Sequence, residues 1–296
     1  MYKKIIIIIT LLFLSITYII ISYNGTNNKL SNLGYNSNEI KFIKDNFNKE
    51  EINKYLLTKK YNNIQNFKKI NIFNIKNISK YEKYKKENTS LSYENIITYV
   101  EIWLDQEFYT NIKEIHCLDK LCLVNKYNKL PENYNLNNLI KLSKEYSSTS
   151  QLLNNETALA IISMIDDAKK SGYNLNVISG YRTEQYQNTL FNNSVKRNGL
   201  EHALKYSAKP GHSEHQTGYA VDLNFAEESF ENTKEYAWLK ENSYKYGFIE
   251  RYPKEKEFIT GYSYEPWHYR YVGIEASTII YKQNITFEEY HAKYIN

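Results

Sequence analysis

The run Pro210-Gly211-His212-Ser213-Glu214-His215-Gln216-Thr217-Gly218-Tyr219-Ala220-Val221-Asp222 places two imidazoles and a carboxylate around a glycine turn. A second pairing, Glu265 with His268, stands on either side of Pro266 and Trp267. A catalytic zinc takes three protein ligands from His, Asp, Glu or Cys and keeps its fourth position for water. His215, Asp222 and His268 supply such a set. The Gly218 turn can fold the first two toward one ion, and His268 would arrive from a neighbouring strand. His212, in the same loop, competes with His215 for the role. The helical His-Glu-x-x-His signature is absent, so spacing alone does not establish the metal. Water activated by a metal needs a base to take its proton and deliver it to a leaving amine. Glu265 is placed for this, provided the turn at Pro266 redirects a side chain that an unbroken strand would send to the opposite face. Arg182 suits an anion clamp that holds a carboxylate or carbonyl through two parallel hydrogen bonds. Gln187 and Ser213 could complete that pocket as neutral donors. His116, His202 and His291 read as structural or surface residues.

The elements that must position these groups follow from periodicity and caps. Leu159, Ile162, Ile165 and Ala168 recur at helical spacing over 156–170, with Asn155 as cap and Gly172 as stop. Leu175, Val177 and Ile178 form a strand that ends at Arg182, and Thr183 caps a helix running toward Gly199. Residues 219–225 read as a strand carrying Asp222. A helix over 234–246 stops at Gly247, and strands follow over 248–252 and 264–272. Thr286 and Glu289 bracket a capping box. This order predicts an α+β domain, a small and largely antiparallel sheet flanked by helices, over residues 145–296. Residues 25–144 are expected to form a helical module and linker. Leu121–Tyr127 reads there as a strand, with a turn after it at Pro131.

Composition narrows the setting. The 296 residues carry a net charge of +5 with pI near 8.7, and the lysines are scattered among Asn, Ile and Tyr, which argues against nucleic-acid binding. After Lys3 and Lys4 the chain is uncharged from Ile5 to Ile21, so residues 1–24 are expected to form a single-pass membrane anchor with the remainder extracytoplasmic. A cleaved signal peptide is the rival, and no small-x-small site follows the apolar run. Two cysteines, Cys117 and Cys122, either close a small loop in an oxidising compartment or stand as separate thiols.

The pattern Ser213-x-His215-x-x-Gly218-x-Ala220-x-Asp222 with Glu265-x-Trp267-His268, preceded by Ser179-Gly180-Tyr181-Arg182, resembles the VanY-type D-alanyl-D-alanine carboxypeptidases among the zinc peptidases. The resemblance spans residues 151–273. It implies the zinc-peptidase fold shared by Hedgehog and DD-peptidases, with Zn2+ on His215, Asp222 and His268, Glu265 as base and acid, and His212 outside the ligand set. It also implies that Arg182, Gln187 and Ser213 recognise the terminal D-alanine of a peptidoglycan stem peptide or its scissile carbonyl. Cleavage of the L,D bond of tetrapeptides, and a cell-wall binding module without turnover, are the alternatives. With no serine or cysteine nucleophile, penicillin-type acylating inhibitors are predicted not to trap the enzyme.

Overall fold

A computed structural model describes residues 25–295, apart from Leu118 and Asn133. The expected anchor, residues 1–24, lies outside the described residues. Among the described residues no helix is long and apolar enough to cross a membrane. The chain divides into two compact units between Val100 and Glu101, not at residue 145.

The first unit is helical, as its periodicity requires. Helix α1 (Ser37–Asn46) opens on a reciprocal capping box between Asn36 and Glu39, and α2 (Ile64–Lys68), α3 (Ile78–Glu87) and α4 (Tyr93–Glu101) follow. Ile43, Leu56, Ile64, Phe67, Tyr81 and Ile96 close a core of their own. Phe67 meets the edge of Tyr93 at 5.3 Å between ring centroids, a favoured aromatic geometry.

In the second unit, β5 (Val177–Ser179), β6 (Ala220–Leu223), β8 (His268–Tyr271) and β7 (Phe248–Glu250) form one antiparallel sheet in the order β5-β6-β8-β7. Side chains alternate across a strand, so one face sends Val221, Leu223 and Tyr269 into an apolar core with Ile161, Met164 and Ile165 of α5 (Asn155–Lys170). Each of the aliphatic and methionine side chains contributes about 1.5–3 kcal/mol of burial as an upper estimate. The other face carries Asp222 and His268, which are directly opposite in the β6–β8 register, with Ala220 opposite Arg270. Helix α6 (Glu184–Asn198) starts on the Thr183 cap and ends at Gly199, where the sequence places both. Beyond it lie α7 (Leu200–Tyr206), α8 (Lys234–Asn242), α9 (Ile274–Gln283) and the single turn α10 (Phe287–Tyr290), which opens on the Thr286–Glu289 capping box.

Two expectations about the upstream chain change. Residues 101–144 belong to the second unit, because their polar atoms are satisfied there: Leu130 N donates to Gly211 O and Asn125 O accepts from His212. The predicted strand Leu121–Tyr127 is irregular. Asn125 Oδ1 accepts from the backbone N–H of Tyr127 and Asn128, and such a side-chain acceptor competes with a strand ladder. The strand falls instead at β2 (Asn128–Lys129), parallel to β1 (Lys113–Glu114). A hairpin that periodicity did not reveal, β3 (Leu139–Lys141) with β4 (Leu152–Asn154), packs under the loop of the site. Cys117 and Cys122 are joined in a disulfide.

Candidate metal centre

Four pieces of chain converge on one face of the sheet. His215 sits in a 3-10 turn, Glu214–Thr217, which Gly218 terminates in the left-handed region at φ 68°. A Cβ at Gly218 would lie 2.9 Å from the backbone nitrogen of Asn154, and that same nitrogen donates to Gly218 O at 3.0 Å. Glycine is therefore required here both by conformation and by the approach of the hairpin. The turn delivers His215 beside Asp222 of β6, and the register delivers His268 of β8 opposite it. At Pro266–Trp267 the chain turns, His268 N donating to Glu265 O at 3.2 Å, so that Glu265 and His268 reach the same side. This is the redirection that the sequence demanded of Pro266.

The ligand atoms of His215, Asp222 and His268 all lie within 4.8 Å of one another, and the three residues are buried. His215 Nε2 stands 3.4 Å from Asp222 Oδ1, and His268 Nδ1 stands 3.2 Å from the same oxygen. The opposite atom of the first ring is already used, since His215 Nδ1 bonds to Gly180 O at 2.7 Å. His215 Nε2 and Asp222 Oδ1 find no hydrogen-bond partner among the described residues. Buried polar atoms left unpaired are costly, and a divalent cation at their point of convergence would satisfy them. Two imidazole nitrogens and one carboxylate oxygen are a donor set that suits zinc. The residues present fit the metal.

Electrostatics agrees with that arrangement at His215 and Asp222. At His268, burial is outweighed by the Asp222, Glu214 and Glu265 carboxylates, which hold the ring well above the usual histidine range, so a metal there would have to displace a proton. Burial, reinforced by the Arg182 charge, pushes His215 down to about 4, which keeps it neutral as a ligand must be. Burial alone would raise the Asp222 carboxyl, but the nearby His215 and Arg182 outweigh it and hold it well below the usual range. Burial also raises Glu265, against the pull of His268 3.3 Å away. A carboxyl displaced upward toward neutrality is matched to proton transfer.

The centre lies in a cavity of about 340 Å³, within the ~300–1,000 Å³ range of small-molecule sites. Arg182, Gln187 and Ser213 all line it, but two of them are already engaged. Arg182 Nη2 donates to Asp222 Oδ2 at 2.6 Å, and Nε and Nη2 both reach Ser179 Oγ. Gln187 was expected as a donor, yet its Nε2 donates to Ala208 O at 2.9 Å. What it offers is the acceptor Oε1, which is buried and without a partner among the described residues. His212 is not in the ligand cluster, and its ring packs edge-on to Tyr109.

Sequence reasoning missed part of the wall. His202 and Tyr206 stack at 4.5 Å and line the cavity with Tyr252 and Tyr262. Behind Tyr262, the buried Lys126 donates to Leu204 O and Gly261 O and packs against the Tyr262 ring. Glu214 was also missed. It lies beside Ser213 and His215 in the motif, a lone acid in a polar loop, and it is 1% exposed.

Residues 150–274 match the family model for VanY, described as D-alanyl-D-alanine carboxypeptidase. The chain is 40% identical over 210 residues to YodJ of Bacillus subtilis, a match covering 65% of this chain and 77% of that protein. It is 40% identical over 179 residues to a D-alanyl-D-alanine carboxypeptidase of Enterococcus faecalis, covering 57% and 65%. Among solved structures it resembles the LdcB LD-carboxypeptidase, with TM-score 0.58 and 41% identity over 63% of this chain and 92% of that one. It also resembles a VanY D,D-pentapeptidase variant from a VanB-type vancomycin-resistance cassette, solved with Zn(II). There the TM-score is 0.51 and the identity 40%, over 58% of this chain and 98% of that one.

Proposed function

Because this chain belongs to the VanY family of zinc D-alanyl-D-alanine carboxypeptidases, we propose that it releases the terminal D-alanine from peptidoglycan stem peptides. In this reading His215, Asp222 and His268 hold Zn2+, and Glu265 is the general base and acid. The observation that carries it is the convergence of His215 Nε2, His268 Nδ1 and Asp222 Oδ1 beside the Glu265 carboxylate. When bound, the ion supplies Lewis acidity, which acidifies water and polarises a carbonyl. Glu265 takes the proton from the attacking water and hands it to the leaving amine. Arg182 Nη1, not used by Ser179 or Asp222, binds the substrate's terminal carboxylate or scissile carbonyl. Gln187 Oε1 accepts from a substrate N–H, and Ser213 closes the pocket beside it. The sequence supports an extracytoplasmic setting with residues 1–24 as the membrane tether, on the side where stem peptides are found.

The test is D-alanine release from a synthetic pentapeptide stem, with and without a zinc chelator, alongside Glu265→Gln. Release that stops on chelation, returns with Zn2+ and falls by about 10²–10⁴ in the variant supports the proposal. Likeness to the LdcB LD-carboxypeptidase motivates a second reading, cleavage of the L,D bond. Activity on tetrapeptide with none on pentapeptide would select it. Binding of stem peptides with no release from either would leave a cell-wall binding module.

A further inference from the structure

A chain of buried charges runs from the metal face to the short helical turn α10. Glu288 on α10 accepts from both terminal nitrogens of Arg251, Nη2 at 2.6 Å and Nη1 at 3.0 Å. Arg251 Nε in turn donates to Glu214 Oε1 at 2.8 Å. The other Glu214 oxygen, Oε2, has no hydrogen-bond partner among the described residues, and neither has His268 Nε2. These two atoms stand 3.8 Å apart. The Arg251, Glu214 and Glu288 side chains are at most 2% exposed, so water does not screen them. Arg270 Nη1 also approaches Glu214 Oε1, at 3.5 Å.

We infer that Glu288, outside the family-matched residues 150–274, is a positioning residue for His268. This rests on the zinc reading above. Metal-bound histidines characteristically give their second ring N–H to a carboxylate, which fixes the tautomer and the ring plane. Glu214 Oε2 is the group placed to do this for His268, leaving Nδ1 for the ion. Whether it faces His268 is decided by Arg251. A guanidinium prefers to grip a carboxylate with two parallel N–H bonds. The end-on grip of Glu288 on Nη1 and Nη2 fixes the guanidinium plane, and in that orientation Arg251 donates to Glu214 through Nε, at Oε1. Without the Glu288 charge, the guanidinium is free to take both Glu214 oxygens and draw Oε2 away from His268.

The experiment measures zinc affinity of the full chain by competition with a chromophoric chelator, for wild type, Glu288→Gln, Glu214→Gln, the double variant and Thr286→Ala. Thr286→Ala breaks the cap of the same helical turn without touching Arg251, so it controls for general loosening of α10. Glu288→Gln is expected to weaken zinc binding about 10–100-fold, the usual effect of losing an outer partner of a metal ligand. Thr286→Ala should leave the affinity at wild type, and the double variant should bind no more weakly than Glu214→Gln, because both losses act through one carboxylate. Wild-type affinity in Glu288→Gln, an equal loss in Thr286→Ala, or losses that multiply would each overturn the inference while leaving the zinc reading intact. A wild-type chain that binds no zinc would overturn both.

Discussion

Replacing Gly218 by alanine tests how tightly the hairpin β3–β4 is sewn to the metal loop. The substitution has two costs that can be separated. A Cβ at φ 68° carries about 1–2 kcal/mol of left-handed strain. That Cβ would also sit 2.9 Å from Asn154 N, which is backbone and cannot swing aside, and 3.2 and 3.3 Å from Leu136 and Leu139 side chains. Relief requires the hairpin to retreat, weakening the Asn154 N–H to Gly218 O bond, worth about 1 kcal/mol. The total is about 2–3 kcal/mol. At ~2–4 °C per kcal/mol for a unit of this size, the melting temperature should fall by about 4–12 °C. Gly172→Ala is the control, because Gly172 also has positive φ, +84°, but a Cβ there would meet nothing within 4 Å, leaving only the strain. Differential scanning calorimetry of both variants beside wild type reads the difference. If Gly218→Ala costs no more than Gly172→Ala, the hairpin does not press on the loop and the steric argument is refuted.

Chelation followed by calorimetry should lower the melting temperature, and restoring Zn2+ to a hundredfold excess over its Kd should return about 2.7 kcal/mol; an unchanged transition would mean that the ion does not bind the folded chain. Lys126→Met should raise KM more than it lowers kcat, since it frees the Leu204 and Gly261 carbonyls behind the Tyr262 wall and touches no ligand; equal change in both would refute the wall role. Burial pushes Lys126 down to about 8, below its unfolded value, so between those values the unfolded chain binds more protons and stability rises with pH. Denaturant titrations should therefore show wild type gaining on Lys126→Met from pH 8 upward, and a gap that stays flat would contradict this. Thr183→Ala removes the N-cap of α6 and should cost about 0.5–2 kcal/mol, measured in the same titrations.

What the sequence made legible was whatever is encoded within a few residues. Thr183 and Gly199 bracket α6 because capping is local chemistry, and Gly247 ends its segment for the same reason. The cluster of His215, Asp222 and His268 was legible because each half of it is one short motif joined by a turn. The Glu214–Arg251–Glu288 chain was not, because its partners are far apart in sequence and each looks like an ordinary surface charge in isolation; Glu288 even sits inside a capping box that accounts for its neighbours. Strands of two or three residues such as β2, β3 and β4 have too little alternation to show a period. Asn125 illustrates the remaining difficulty: an apolar run resembling a strand is undone by one side-chain oxygen that takes the backbone donors for itself.

The pairing of Asp222 with His268 across adjacent strands has a consequence for how such an enzyme can vary over time. The two halves of the centre are aligned by backbone bonds between β6 and β8, not by the length of chain that joins them. Residues 225–229, exposed just after β6, can lengthen or shorten without moving Asp222 or His268, and doubling a flexible loop costs only about 0.6 kcal/mol. A single-residue insertion within β6 would instead exchange the faces of everything beyond it. The rim of the cleft is thus open to remodelling by insertion, while β6 and β8, which carry Asp222 and His268, admit substitutions but not changes in length.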